Sequence, residues 1–111
     1  NPIACAAGLA TIELLQNGLM RNAARMGNYI MQRLDKMMRR YEIMGDVRGK
    51  GLMIGIEFVK NRRKKEEAPE LTDYIAYECF RNGLMLLTCG KNVIRFIPPL
   101  IISQDTADQA L

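Results

Sequence analysis

A run of fifteen residues, Pro2 to Gln16, reads as a helix with no polar face. Ala4, Ala6, Ala7, Leu9, Ala10, Leu14 and Leu15 are strong helix formers. Pro2 suits the first turn, where its missing N–H is not needed. Glu13 is the first charge. A helix that is apolar nearly all round requires burial on every side. The rest of a 111-residue chain is too short to wrap it. Another domain or subunit is therefore expected to cover it, and the chain alone is expected to associate with itself. Asn17-Gly18 breaks or bends this helix. Residues 1–17 thus read as a link to an upstream large domain, and residues 18–111 as a small domain. The absence of a leading methionine and the amphipathic pattern that stops at Leu111 both suggest a piece of a longer protein, its last helix truncated.

Beyond the bend, Leu19, Ala23, Met26, Ile30, Leu34, Met37 and Tyr41 recur at steps of three or four, the stripe of a surface helix running to about Arg40. Leu52, Ile54, Ile56 and Phe58 then alternate with Met53, Gly55, Glu57 and Val59, which predicts a strand with one apolar face. Arg48-Gly49-Lys50-Gly51 predicts a tight turn, pairing Ile43–Arg48 with Leu52–Val59. These glycines do not form a phosphate loop, because G-x-x-x-x-G-K-[ST] is absent. The charge run Lys60–Glu67 reads as a solvated loop. A third helix is expected over Pro69–Asn82, with Leu71, Ile75 and Cys79 inward, Tyr74 beside them and Gly83 at its exit. Leu84–Thr88 and Val93–Ile97 predict a second hairpin, and Ser103 caps a final helix. The order α, α, β, β, α, β, β, α indicates an α+β fold: a small antiparallel sheet with helices packed on one face.

Composition removes several kinds of chemistry. There is no histidine, so neither the commonest metal ligand nor the commonest general base is present. Cys5, Cys79 and Cys89 are odd in number and form no C-x-x-C, which argues against a disulfide framework or a zinc knuckle. They read as buried free thiols in a reducing cytoplasm. The net charge of +4 does not imply a nucleic-acid partner, and no aromatic interrupts the basic run to stack on bases. The longest uncharged run, Pro2 to Ile12, is too short to span a bilayer, so no membrane association is expected.

Arg95 is the residue that draws attention. It lies within the otherwise apolar Val93-Ile94-Arg95-Phe96-Ile97. By alternation it shares a face with Val93 and Ile97, while Ile94 and Phe96 point the other way. A guanidinium near a core is costly unless an anion meets it, and its fork matches a carboxylate. A strand placed this way aims a cation at an acidic ligand. Pattern alone favours a structural role instead, such as an ion pair with Glu57 or Asp46, or a place on an exposed strand edge.

Four stretches in order and spacing resemble class III aminotransferases of the 4-aminobutyrate, ornithine and acetylornithine type. They are Asn1-Pro2-Ile3-Ala4-Cys5-Ala6-Ala7, Gly45 to Met53 (GDVRGKGLM) followed by Ile56-Glu57, Gly83-Leu84, and Asn92 to Leu100 (NVIRFIPPL). The resemblance covers essentially the whole chain. It implies the C-terminal small domain of a fold-type I pyridoxal-phosphate (PLP) transferase, working as a cytoplasmic homodimer. The enzyme would move an amino group from an amino acid, 4-aminobutyrate- or ornithine-like, to a 2-oxo acid. Arg95, the arginine before Pro98-Pro99-Leu100, then binds the substrate carboxylate. The family's PLP-bonding lysine and the aspartate on the pyridine nitrogen lie upstream of Asn1. No catalytic, cofactor-binding or metal residue is therefore assigned in this chain, and neither Lys50 nor Lys91 inherits the lysine's role. The same fold supports amino-acid racemases and aminomutases. A free-standing α+β binding module is the alternative from a different class.

Overall fold

A computed structural model describes residues 1–111. Helix α1, Pro2–Leu14, passes through a π-helical turn at Leu15–Leu19 into α2, Met20–Arg40. Asn1 caps α1, its side-chain oxygen accepting from the N–H of Ile3 at 3.0 Å. The bend expected at Asn17-Gly18 is present: Gly18 adopts φ 139°, which only glycine takes readily. Nothing in α1 is buried; Ile3 is 80% and Leu9 69% exposed. Taken as one unit, the bent helix Pro2–Arg40 contains an 18-residue window long and apolar enough to cross a membrane. The uncharged run alone did not suggest this, because the window extends past Glu13. Apolar helices inside water-soluble proteins meet the same criterion.

The strands are β1 (Met44–Lys50), β2 (Met53–Asn61), β3 (Glu66–Glu67), β4 (Leu87–Cys89) and β5 (Val93–Phe96). They form an antiparallel sheet in the order β1-β2-β5-β4, with β3 added to β2. Helices α3 (Pro69–Arg81) and α4 (Gln104–Ala110) complete an α+β fold. Ile54, Ile56 and Phe58 of β2 and Ile94 and Phe96 of β5 form one face and are buried against Met26, Ile30 and Leu34 of α2. The opposite face is open except at one end, where Val59 is buried against Gly45.

Four local features differ from the sequence expectation. The first turn is shorter than expected: Lys50 pairs with Met53, so Gly49 and Lys50 extend β1 and only Gly51-Leu52 form the loop. Gly51 has φ +56°, as the first loop position of a type II′ hairpin requires, and the loop's Leu52 is buried in the core. The charge run is only partly a solvated loop. Its ends lengthen β2 and form β3, and Arg62 turns back onto the C-terminus of α2. There its guanidinium donates to the carbonyls of Met38 (2.5 Å), Tyr41 (2.6 Å) and Met44 (3.1 Å). A cation at this end also complements the helix dipole. On α3 the fully buried residue is Thr72, whose hydroxyl donates to the Ala68 carbonyl at 2.8 Å, while Tyr74 is 61% exposed. Finally, Cys5 and Cys89 are exposed and only Cys79 is partly buried. The first sits on uncovered α1 and the second on the edge strand β4, and burial raises the Cys79 thiol pKa.

The tightest packing is between α2 and the first hairpin. A Cβ at Gly27 would overlap the carbonyl oxygen of Gly51, a backbone atom that cannot swing away. Gly27→Ala should therefore lower stability by about 1–3 kcal/mol, even though alanine favours helix by up to about 1 kcal/mol. Denaturant melts would measure this, and an unchanged or raised midpoint would show that the contact is loose. Arg62→Ala should cost about 1–3 kcal/mol through its lost carbonyl bonds, and Arg62→Lys should recover only part of that in the same melts.

Candidate functional site

Arg95 occupies the middle of β5, opposite Gly55 of β2 on one side and Leu87 of β4 on the other. It therefore lies inside the sheet and not at an edge. The alternation holds: Ile94 and Phe96 are 1% and 4% exposed, while Arg95 and Ile97 face outward. The guanidinium is exposed, so it carries no burial cost and needs no internal anion. It makes no ion pair or side-chain hydrogen bond. Both anions weighed as its partners are engaged elsewhere. Asp46 pairs with Arg48 at 2.8 Å, and Glu57 with Lys65 at 3.2 Å.

Two features hold this position. Asn92, just before β5, is buried; its amide donates to the Phe58 carbonyl at 2.8 Å and its own carbonyl accepts from the Phe58 N–H at 2.8 Å. This double bond to β2 fixes the register of β5. Gly55, directly across from Arg95, presents no side chain to it.

Beside Arg95 opens a cleft of about 670 Å³, of a size that suits small ligands. Leu87, Met85 and Ile97 are among its walls, with Ser103 and Thr106 on the α4 side. The segment Pro98–Ile102, of which all but Leu100 line the cleft, is tied to α2 by the Asn22 amide, which donates to the Leu100 carbonyl at 2.7 Å and the Ile102 carbonyl at 3.2 Å. Tyr29 and Arg33 of α2 bond Asp108 and anchor α4 in the same way. The Tyr29 hydroxyl, with Asp108, raises the Arg33 pKa. A second cavity of about 300 Å³ between α2, α3 and the sheet is lined by apolar side chains, with Tyr41 and Cys79 among them.

Sequence reasoning singled out Arg95 but missed Asn92 and Gly55. The signal for Asn92 was its place at the hairpin exit before an apolar strand. No cluster of His, Cys, Asp or Glu fit to hold a metal is present. All six lysines are exposed, and none borders either cavity. Lys91 is bonded to Glu67 at 3.0 Å. The residues of this chain by themselves therefore do not fit a PLP site, which needs an amine within the cleft and a cradle for the phosphate.

Comparison with known proteins places these features. The family described as aminotransferase class-III matches residues 1–111. Over its whole length the chain is 45% identical to an alanine/serine racemase of Pyrococcus horikoshii, covering 24% of that protein. It is also 41% identical to a 4-aminobutyrate aminotransferase of Mycobacterium leprae, covering 25% of it. A solved amine transaminase from an uncultivated Pseudomonas species, in its PLP-bound form, is 34% identical with a TM-score of 0.89. That match covers 98% of this chain and 25% of the transaminase. The chain thus spans about a quarter of the length of the curated relatives it matches. Over that quarter it shares the fold of the solved transaminase, and it belongs to the class III aminotransferase family.

Proposed function

We propose that this chain is the substrate-gripping part of a PLP-dependent aminotransferase, with Arg95 holding the carboxylate of an amino acid and then of a 2-oxo acid. The observation that carries this reading is the unpaired guanidinium of Arg95, in mid-sheet at the wall of an apolar cleft. A planar fork of donors on a rigid strand suits a carboxylate and fixes its orientation. PLP, when bound, supplies the electron sink for the amino-group chemistry. Its bonding lysine and most of its phosphate contacts belong, on this reading, to segments outside these residues. Residues 1–17 then link to that large domain, and the uncovered apolar surface of α1 supports a homodimer or a domain interface that shields it. Nothing in the site calls for nucleic acid or a membrane, and a cytoplasmic setting suits the three free thiols.

A second reading, amino-acid racemisation, is favoured by the 45% identity to a protein named as a racemase. Both reactions use the same grip on the carboxylate. They separate on whether a 2-oxo acid is consumed or the substrate's handedness is lost without one.

In the complete enzyme, Arg95→Ala should weaken carboxylate-substrate binding by about 2–4 kcal/mol, read as a rise in KM with PLP absorbance retained. Unchanged kinetics would return Arg95 to a structural role. Incubating the complete enzyme with single enantiomers, with and without a 2-oxo acid, decides between the two reactions. Turnover only with the oxo acid means aminotransfer, and inversion without it means racemisation.

A further inference from the structure

On the open face around Arg95 two cations are left unpaired, Arg95 itself and Lys50. Asp46 and Arg48 cancel, and so do Glu57 and Lys65. Arg48 lies in the same cross-strand row as Arg95, with Gly55 between them. Two strand spacings put it about 10 Å away. Lys50 is at the hairpin tip, also two strands away and one row further along. Next to Arg95 itself the neighbours are apolar. Leu87 is its cross-strand partner and Ile97 is two residues on, so both side chains share its face. They are 60% and 53% exposed, and Met85, at 74%, lines the same cleft.

We propose that Leu87 and Ile97 make this a site for amino acids with one free carboxylate and an apolar side chain, and that they discriminate against dicarboxylates. The inference rests on Arg95 being the carboxylate grip. In an α-amino acid held there, the side chain lies within a few ångströms of the guanidinium, which is the distance to Leu87 across the strand pair, about 5 Å. A branched aliphatic chain buries apolar area on these residues. A second carboxylate at the same place would lose water and meet no cation, and Glu57 is on the same face.

The test is binding of two unreactive carboxylates, 4-methylpentanoate and pentanedioate, to the PLP-loaded complete enzyme by calorimetry. The native enzyme should bind 4-methylpentanoate at least tenfold more tightly. Leu87→Lys, a change at an exposed position, should gain at least tenfold for pentanedioate, a gain that misfolding cannot imitate. Arg95→Ala should lose both ligands. Equal or tighter binding of pentanedioate by the native enzyme, or an unchanged ratio in Leu87→Lys, would overturn the apolar specificity while leaving Arg95 as the grip. If Arg95→Ala still binds both, the carboxylate reading and the specificity fall together.

Discussion

The backbone contact between Gly27 of α2 and Gly51 of the first hairpin sets the distance between helix and sheet. No side chain separates the two, so α2 lies directly on the turn. Met26, Ile30 and Leu34 then follow one another along the helix and fill the space over Ile54, Ile56, Ile94 and Phe96. Interiors pack as densely as crystals, so a shift of one methyl at this contact would be passed on to every residue along the stripe. The Arg62 cap holds the other end of the same helix, where its last carbonyls would otherwise be left to water.

Because one face of the sheet takes the helices, the other is left to charge and ligand. On the covered face, alternation turns Val47, Ile54, Ile56, Phe58, Ile94 and Phe96 inward. On the open face the same alternation sets out Asp46, Arg48, Glu57 and Arg95 in neighbouring rows. Three of these four find partners close by. Arg95 does not, because the residues across from it are a glycine and a leucine. A strand paired on both sides holds an unpaired guanidinium in a fixed place more firmly than a loop would.

Much of this was legible in the sequence, because it rests on periodicity. The α2 stripe, the 52-54-56-58 alternation, the bend at Gly18 and the Ser103 cap are all local patterns, and the structure has them. The outward face of Arg95 was legible for the same reason. What stayed hidden depends on contacts distant in sequence. Arg62 looked like one more charge in a solvated run, since its three carbonyl partners lie 18 to 24 residues earlier. Asn92 looked like a turn residue, although it is pinned to Phe58, 34 positions away. Tyr74 fell within the expected stripe of α3, but the helix is rotated so that Thr72 faces inward. The cost assigned to a guanidinium near a core was misplaced for a related reason. The pattern gave the face of the strand but not whether that face is covered.

An exposed arginine is a weak hook in water. Two opposite charges 4 Å apart gain only about 1 kcal/mol in bulk water, against about 4 kcal/mol where the effective dielectric constant is near 20. Arg95 therefore needs its surroundings to exclude water before its fork can orient a substrate. Leu87, Ile97 and Met85 provide part of that exclusion from within the domain, and a bound aliphatic side chain would extend it. The exposed apolar residues beside Arg95 thus belong to the site. They raise the strength of a single charged contact, and they do so for ligands whose own surface near the guanidinium is apolar.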